Sequence, residues 1–440
     1  MVRPRARRHR GRAKAAQHHG ERLVAAPPPS PSRSGHHQRH DQEQGGHGRP
    51  ERRDHRVSPS ATAVTATAHL VVGTRARDRR STPAPPVDHD RGNDEMEVPM
   101  RVDAMLAGSS ITDLAAEARG REAAGYDGLW SFEAAHDPFL PLMPVAEHTD
   151  HIAVGTGIAV AFARNPMSMA HVSHDVQVHS QGRLLLGLGS QVKPHIERRF
   201  GMPWSHPAPR MREYVQALRA IWSAWDDDER LNFRGDFYSH TLMTPFFSPA
   251  PSPWGPPKVY LAAVGEHMTR VAGEVCDGLQ PHAFTTERYL RERTLPLLAE
   301  GLAASGRTLA DFSISFSGFV VTGRNEEEMA VAEAGMRQQI AFYGSTPSYR
   351  TVLDMHGWGE LGVELNTLSR GTDPDRWEKM GDLIDDEVLR TFAVIAEPDA
   401  LGPALLERYG DIVDRFTFYA PYAHDDAVFA PAVEALRKAP

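Results

Sequence analysis

The first 95 residues of this 440-residue chain contain no Phe, Trp, Tyr or Ile, so all the aromatic side chains lie in residues 96–440. Ordering a backbone costs about 1–2 kcal/mol per residue. A segment made of Arg, His, Pro, Ser and Gly runs has little apolar surface to bury in return. We therefore expect residues 1–95 to form a disordered tail.

The tail is also basic: it holds 19 Lys and Arg against 10 Asp and Glu, which leaves 30 against 47 for residues 96–440. A basic arm can bind phosphate groups. However, Met96 stands immediately before the first patterned segment, so a true start at Met96 explains the tail better than a nucleic-acid-binding role. Residues 96–440 are expected to form one domain.

Cysteine and long apolar runs are equally scarce. With one cysteine, Cys276, the chain can form no intrachain disulfide, which fits a reducing compartment. No stretch approaches the roughly 18 uncharged apolar residues of a membrane span, and the tail has no apolar segment of the kind that signal peptides carry. A cytoplasmic protein without membrane contact is expected.

Several catalytic signatures are missing as well. The chain has no H-E-x-x-H motif and no cysteine pair, and of the three histidines on one predicted helix, His171, His174 and His179, only the first two have helical spacing, so no metal site is expected. It also lacks the G-x-S-x-G motif of serine hydrolases.

From residue 100 onward, short β-rich runs alternate with helical patterns, which predicts a parallel sheet. Eight such strands in about 345 residues favour a (β/α)₈ TIM barrel with insertions. The predicted strands are Arg101–Leu106, Gly128–Phe132, Ile152–Ala161, Arg183–Leu188, Lys258–Ala262, Asp277–Pro281, Phe312–Val321 and Arg415–Tyr419. The predicted helices include Glu266–Cys276, Glu287–Ala304 and Glu326–Phe342, the last as the helix of the seventh unit.

Two insertions, Leu231–Pro257 and Ser345–Arg390, are expected to lie over a barrel end, the second as extra helices. The first is rich in aromatic residues, which either line a substrate pocket or close the barrel mouth. These are Phe233, Phe237, Tyr238, Phe246, Phe247 and Trp254.

Catalytic groups of such barrels lie just after the strands, and five strands carry distinctive residues at or near their ends here. Glu133, His136 and Asp137 follow the second strand, and Gly157-Ile158 lies within the third. Gly182 to Gln191 has the form G-R-x-x-L-G-x-G-S-Q at the fourth strand. After the fifth and sixth strands come Ala262-Ala263-Val264-Gly265 and His282.

Together these strand ends resemble those of the luciferase-like family, which includes flavin monooxygenases and oxidoreductases that use coenzyme F-420, a 5-deazaflavin. The resemblance spans nearly all of residues 98–430 and implies an enzyme with a small organic substrate. It implies catalytic roles for Glu133, His136 and Asp137. Ala134 and Ala135 stand where relatives often carry a catalytic histidine, so His136 is the residue left near enough to replace it.

The resemblance also implies a cofactor site. Gly157-Ile158 falls where relatives carry a non-prolyl cis peptide behind the cofactor ring, and His282 would lie on the substrate side. Backbone amides after the fifth strand would hold the cofactor phosphate at a helix N-terminus, where N–H groups are unpaired. The full set of implied cofactor contacts is Gly157, Ile158, Gly189, Ser190, Gln191, His195, Ala262, Ala263, Val264 and Gly265.

Three functions remain open at this point. Hydride transfer with coenzyme F-420 is favoured over monooxygenation with reduced FMN, because the segment from Gln191 to Trp204 resembles the F-420 subgroup. A non-catalytic cofactor-binding barrel is the third. The identity of the substrate and the presence of a homodimer are left undecided.

Overall fold

The structure is a computed structural model that describes residues 99–106 and 111–438. The predicted tail and the predicted start at Met96 lie outside these residues. Within the described part, no helix is both long and apolar enough to cross a membrane.

Eight parallel strands close into a barrel, as predicted. Each strand pairs with the next along the chain, and the eighth pairs with the first. Every predicted strand is present with ends that shift by a few residues at most. They are β1 Arg101–Met105, β2 Gly128–Ser131, β3 Ala153–Thr156, β4 Leu184–Gly189, β5 Lys258–Ala263, β6 Gly278–Pro281, β7 Ser313–Val321 and β8 Arg415–Tyr419.

Helices surround the barrel and cap one end of it. A short helical turn, Glu287–Tyr289, and a π-helical turn, Leu290–Thr294, lead directly into α6. The helices are α1 Leu114–Ala123, α2 Leu142–Glu147, α3 Pro166–His179, α4 Pro207–Asp226, α5 Glu266–Val275, α6 Leu295–Ala304, α7 Glu326–Gly344, α8 Arg350–Met355, α9 Gly359–Ser369, α10 Arg376–Asp382, α11 Asp386–Phe392, α12 Pro398–Tyr409 and α13 Ala430–Lys438.

An aspartate at the start of three even-numbered strands joins each strand to the one before it. Asp127 accepts a hydrogen bond from the backbone N–H of Val102 in β1, at 2.8 Å. Asp277 accepts from Val259 in β5, and Asp414 accepts from Ile314 in β7, each at 2.7 Å. We call these three contacts the aspartate clips. They satisfy backbone donors at the amino-terminal end of the barrel, where the ladder begins.

Arg183 takes the corresponding position before β4, and it makes a different set of contacts. Its guanidinium donates to the carbonyls of Ala146, Ile152 and Ser180 and to the hydroxyl of Thr149, at 2.7–2.9 Å. The arginine of the G-R-x-x-L-G-x-G motif therefore ties α2 and the end of α3 to the barrel. Its role is structural.

A buried ion pair fills the barrel interior near the amino-terminal ends of the strands. The Arg415 guanidinium donates to both carboxylate oxygens of Asp103, at 2.7 and 2.6 Å, and the indole N–H of Trp130 donates to the same carboxylate at 2.9 Å. Asp103 and Arg415 are 0% and 2% exposed. Burial alone would lower the pKa of Arg415, but the charge and hydrogen bonds of Asp103 outweigh it, and this pKa is raised.

The first insertion packs along α4 and against the start of β4. The carboxylate of Glu213 in α4 accepts hydrogen bonds from three successive backbone N–H groups, of Asp236, Phe237 and Tyr238. The Phe237 ring lies beside His206, which immediately precedes α4. Trp254 lies against Gly182, near the start of β4. A pocket-lining or mouth-closing role for the aromatics of this insertion stays a prediction.

The second insertion contains the predicted extra helices, α8 to α11. They pack with α7 around a hydrophobic core of their own, which also takes in Phe319 and Val321 from the end of β7. Tyr343, near the end of α7, lies against His282 after β6. Residues 326–392, which we call the helical cap, thus cover the carboxyl-terminal ends of β6 to β8.

The assignment of α7 to the seventh barrel unit is therefore wrong. The helix that packs on the barrel between β7 and β8 is α12, whose Tyr409 contacts Phe316 and Phe416. The periodicity of α7 predicted a helix correctly, but periodicity does not show which surface a helix covers. A short strand missing from the prediction, Ala393–Ile395, returns the chain from the cap by pairing with the end of β7.

Candidate cofactor and substrate site

The side chains at the carboxyl-terminal end of the barrel divide into two kinds. Side chains of barrel strands point alternately inward and outward. Asp103 and Arg415 point inward, so the residues that pair with them across the sheet, and every second residue along each strand, also point inward. Nearest the mouth, these positions on β3, β4 and β5 hold the small residues Gly157, Gly189 and Ala262, whereas deeper in the barrel Leu185 pairs with Gly155 and Tyr260 pairs with Gly187. On β6, β7 and β8 the inward positions hold large residues, which are Gln280, His282, Phe319 and Tyr419.

The half of the mouth formed by β3, β4 and β5, which we call the small half, contains a break in β3. The Gly157–Ile158 peptide bond is cis, as the resemblance implied. The chain then resumes as a two-residue strand, Ala159–Val160, that pairs with Leu188 and Gly189 of β4. The predicted cofactor contacts on β3 and β4 are thereby brought side by side.

The β4 glycines are required by the barrel itself. A Cβ atom on Gly187 would lie 1.8 Å from the carbonyl oxygen of Thr156, and one on Gly189 would lie 2.7 Å from the side chain of Ile158. The two strands can approach this closely only without side chains at these positions. The motif thus lets β3 and β4 pack closely at the barrel mouth. We call the surface formed there by Gly157, Gly189 and Ala262 the shelf.

Two of the three predicted catalytic residues are held in an ion-pair network. Glu133 accepts hydrogen bonds from Arg164, at 2.6 Å, and from the backbone N–H of Val160, at 2.8 Å. Arg164 also donates to Asp137 at 2.9 Å. Burial by itself would lower the pKa of Arg164, but the two carboxylates outweigh it and the pKa is raised. Glu133 and Asp137 therefore fix the loop and the strand after the cis peptide.

His136 lies between these carboxylates in sequence but is exposed to solvent. Its ring makes no hydrogen bond within residues 111–438. The neighbouring loop is fixed by Arg199, which donates to the carbonyl of Ala134. A proton-transfer role for His136 stays a prediction.

The predicted cofactor contacts after β4 differ in their exposure to solvent. Ser190 and Gln191 are half-buried directly beyond Gly189, and Gln191 has a left-handed backbone with φ of 58°. Its side-chain oxygen accepts from the Val192 N–H at 3.0 Å. His195 begins a π-helical turn and is exposed, farther from the strand ends. Ser190 and Gln191 therefore adjoin Gly189, and cofactor contacts by Ser190, Gln191 and His195 stay predictions.

A hydroxyl-rich pocket lies at the end of β5. Its lining includes Ala263 to Gly265, Thr269, Thr285 and Ser348, together with His282. Gly265, with φ of 82°, begins α5, and no side chain caps that helix. The hydroxyl of Thr285 is buried and has no hydrogen-bond partner in the described structure. No Lys or Arg lines the described walls of this pocket.

His282 is neutral and held from both sides. Burial lowers its pKa to about 4. Its Nδ1 accepts from the backbone N–H of Phe284 at 3.0 Å, and its Nε2 lies 3.1 Å from the hydroxyl of Tyr349. The imidazole also stacks on the Tyr349 ring, with centroids 4.4 Å apart.

Replacing His282 by Asn should make the protein less sensitive to acid. In the unfolded chain a histidine binds a proton below about pH 6.5, but the folded site resists protonation down to about pH 4. Folding by the wild type is therefore penalised as pH falls from 6.5 to 4, by about 2–3 kcal/mol at the limit. Urea unfolding at several pH values should show this loss in the wild type and a smaller one in His282→Asn, and equal losses would contradict it.

Several site residues carried no signal in the sequence. Gln280 projects into the barrel beside Gly187, and its buried side-chain oxygen has no partner in the described structure. Thr285 and Arg164 likewise belong to no distinctive sequence motif. Gln280 lies within β6, and Thr285 and Arg164 each lie four residues beyond a strand, so their position at strand ends is the signal that could have singled them out. Within the described residues, no three His, Cys, Asp or Glu side chains are placed to hold a metal ion.

Comparison with known proteins gives a consistent result. A family model described as luciferase-like monooxygenase matches residues 96–415. A protein of Mycobacterium tuberculosis is 55% identical over 291 residues, which cover 66% of this chain and 85% of that protein. An F-420-dependent glucose-6-phosphate dehydrogenase of Beutenbergia cavernae is 27% identical over 327 residues, covering 66% of this chain and 88% of its own.

Among solved structures, the coenzyme F-420-dependent tetrahydromethanopterin reductase from Methanopyrus kandleri superposes with a TM-score of 0.63. It is 18% identical, and the match covers 78% of this chain and 98% of that one. At this identity the likeness concerns the fold.

Proposed function

The chain belongs to the luciferase-like monooxygenase family, and we propose that it is an oxidoreductase that uses coenzyme F-420 to transfer hydride to or from a small organic substrate. The observation that carries the proposal is the small half of the barrel mouth. Strands β3, β4 and β5 carry the small residues Gly157, Gly189 and Ala262 at the mouth, and the Ile158 side chain lies against Gly189. A flat ring fits such a shelf.

Unpaired polar atoms support the same site. The buried oxygen of Gln280 lies beside the shelf and can accept from a ring N–H, while the Thr285 hydroxyl and the uncapped start of α5 can donate to a phosphate. When bound, the cofactor supplies the carbon that gives or takes the hydride. The chain supplies orientation and exclusion of water.

The charge of the pocket favours coenzyme F-420 over FMN. The phosphate of FMN is a monoester with a charge near −2 at neutral pH, as for phosphorylated side chains, whereas the phosphate of coenzyme F-420 is a diester with a charge of −1. The described pocket offers hydroxyls and helix N–H groups without Lys or Arg. Such a lining compensates one negative charge more readily than two.

Cofactor binding to the full chain tests this proposal directly. We expect quenching of the deazaflavin fluorescence with a micromolar dissociation constant and much weaker binding of FMN. Preferential binding of reduced FMN would instead support a monooxygenase. Binding of neither cofactor would contradict both enzyme functions.

Replacing Thr285 by Val should weaken coenzyme F-420 binding without harming the fold. The change keeps the shape of the side chain and removes a hydroxyl that has no partner in the described structure. One lost hydrogen bond to the ligand costs about 1 kcal/mol, or roughly a fivefold change in affinity. The free energy of unfolding should stay the same or rise, because a buried unpaired polar atom is removed.

Thr367→Val provides the matched control. Thr367 lies on α9 and its hydroxyl donates to the carbonyl of Val363, away from the pocket. Fluorescence titration of both variants should show weaker binding in Thr285→Val alone. If both bind the cofactor like the wild type, the phosphate is not held at this pocket.

A further inference from the structure

The half of the mouth formed by β6, β7, β8 and the helical cap carries aromatic side chains. We call His282, Phe319, Tyr343, Tyr349 and Tyr419 the aromatic wall. Tyr343 lies edge-on to His282 with ring centroids 4.8 Å apart, and its hydroxyl lies 3.0 Å from that of Tyr419. Phe319 stacks on Tyr343. The histidine and the three tyrosines are half-buried, so each keeps an accessible part.

The hydrogen bonds of the wall leave particular protons free. The Nδ1 atom of His282 accepts from the Phe284 N–H, so the neutral ring carries its proton on Nε2. That proton points to the Tyr349 oxygen, which leaves the Tyr349 hydroxyl proton to be donated elsewhere. In the Tyr343–Tyr419 pair, one hydroxyl donates to the other, and the second keeps a free proton.

These donors persist over a wide pH range. Burial raises the pKa of Tyr349 to about 12 and also raises the pKa values of Tyr343 and Tyr419. His282 stays neutral because its pKa is lowered. The wall therefore presents uncharged O–H donors on aromatic surfaces.

No residue of the wall carries a positive charge. None of its five residues is a Lys or Arg, and residues 96–440 carry 47 acidic against 30 basic side chains. A charged substrate would lose its hydration here without gaining an ion pair. An apolar body would instead gain contact with the rings.

Resting on the proposed oxidoreductase function, we propose that the substrate is an uncharged carbonyl compound or alcohol with a flat, apolar body. The rings of the wall contact that body, and a free tyrosine proton is donated to its oxygen. In the carbonyl direction, one hydride and one proton convert C=O to CH–OH as the reduced deazaflavin is oxidised. In the reverse direction, the alcohol loses one hydride and one proton as the oxidised deazaflavin is reduced.

A matched pair of ligands tests the substrate class, with acetophenone as the neutral probe and 4-acetylbenzoate as its anionic analogue. Ligand-observed NMR titrations use the full chain, with and without saturating coenzyme F-420. We expect acetophenone to bind at least tenfold more tightly than the anion. Equal affinity, tighter binding of the anion, or no binding of either at millimolar concentration would overturn the proposal.

Variants locate the binding. Tyr343→Phe removes one hydroxyl of the pair and should weaken acetophenone binding about fivefold, while coenzyme F-420 still binds. Tyr126→Phe is the control, because Tyr126 precedes β2 at the opposite end of the barrel. Unchanged acetophenone binding in Tyr343→Phe would refute the role of the wall. If acetophenone is selected but coenzyme F-420 does not bind, the cofactor proposal alone fails.

Discussion

Replacing Arg415 by Met is expected to lower the free energy of unfolding by about 3–5 kcal/mol, because the change leaves the carboxylate of Asp103 buried and unpaired. Asp103 is fully buried, and its remaining partner would be the indole N–H of Trp130. One hydrogen bond does not replace a bidentate ion pair. Urea unfolding of the full chain at neutral pH measures the loss.

A double variant separates charge burial from packing. Asp103→Asn with Arg415→Met removes both charges, and the amide oxygen can still accept from Trp130. Removing the charge of the second partner should recover a large part of the stability lost in the single variant. A single variant within about 1 kcal/mol of the wild type would mean that the pair is open to water in solution.

Replacing Gly187 by Ala should disrupt the mouth of the barrel more than any other single methyl group. The added Cβ atom would lie 1.8 Å from the backbone oxygen of Thr156, which cannot rotate away as a side chain would. Displacing β3 from β4 should destabilise the fold by about 3 kcal/mol. Because the shelf moves with these strands, coenzyme F-420 should also bind more than tenfold more weakly.

Gly120→Ala is the matched control for this experiment. Gly120 lies on the exposed side of α1, and an added Cβ atom would meet nothing within 4 Å. The change should stabilise the protein by about 0.5–1 kcal/mol and leave cofactor binding unchanged. Thermal unfolding and fluorescence titration compare the two variants. Similar behaviour of both would show that β3 and β4 can separate without cost.

The barrel could be predicted because each strand leaves a local mark in the sequence. The run Leu184–Gly189, for example, is almost wholly apolar and ends in glycine, as a buried parallel strand does. The location of α7 could not be predicted in this way. Its helical pattern is local, but its packing over His282 depends on residues far away in the chain.

The candidate site shows the same division. Gly157-Ile158 was found because a family resemblance attached a backbone feature to that position, and the structure has it. The ion pairs of Arg164 with Glu133 and Asp137 were not found, because a separation of about 30 residues carries no periodic signal. Glu133 and Asp137 thus hold the loop, and their catalytic role stays a prediction.

The aspartate clips bear on the order in which the barrel assembles. Asp127 and Val102 are 25 residues apart and Asp277 and Val259 only 18, whereas Asp103 and Arg415 are separated by 312. The entropy lost on closing a loop grows with its length, so short-range strand pairs form at lower cost than the seam between first and last strands. Folding is therefore expected to begin with the β1–β2 and β5–β6 pairs, which two of the clips join. The third clip joins residues 100 apart and is expected to form later, and the buried ion pair at the seam last.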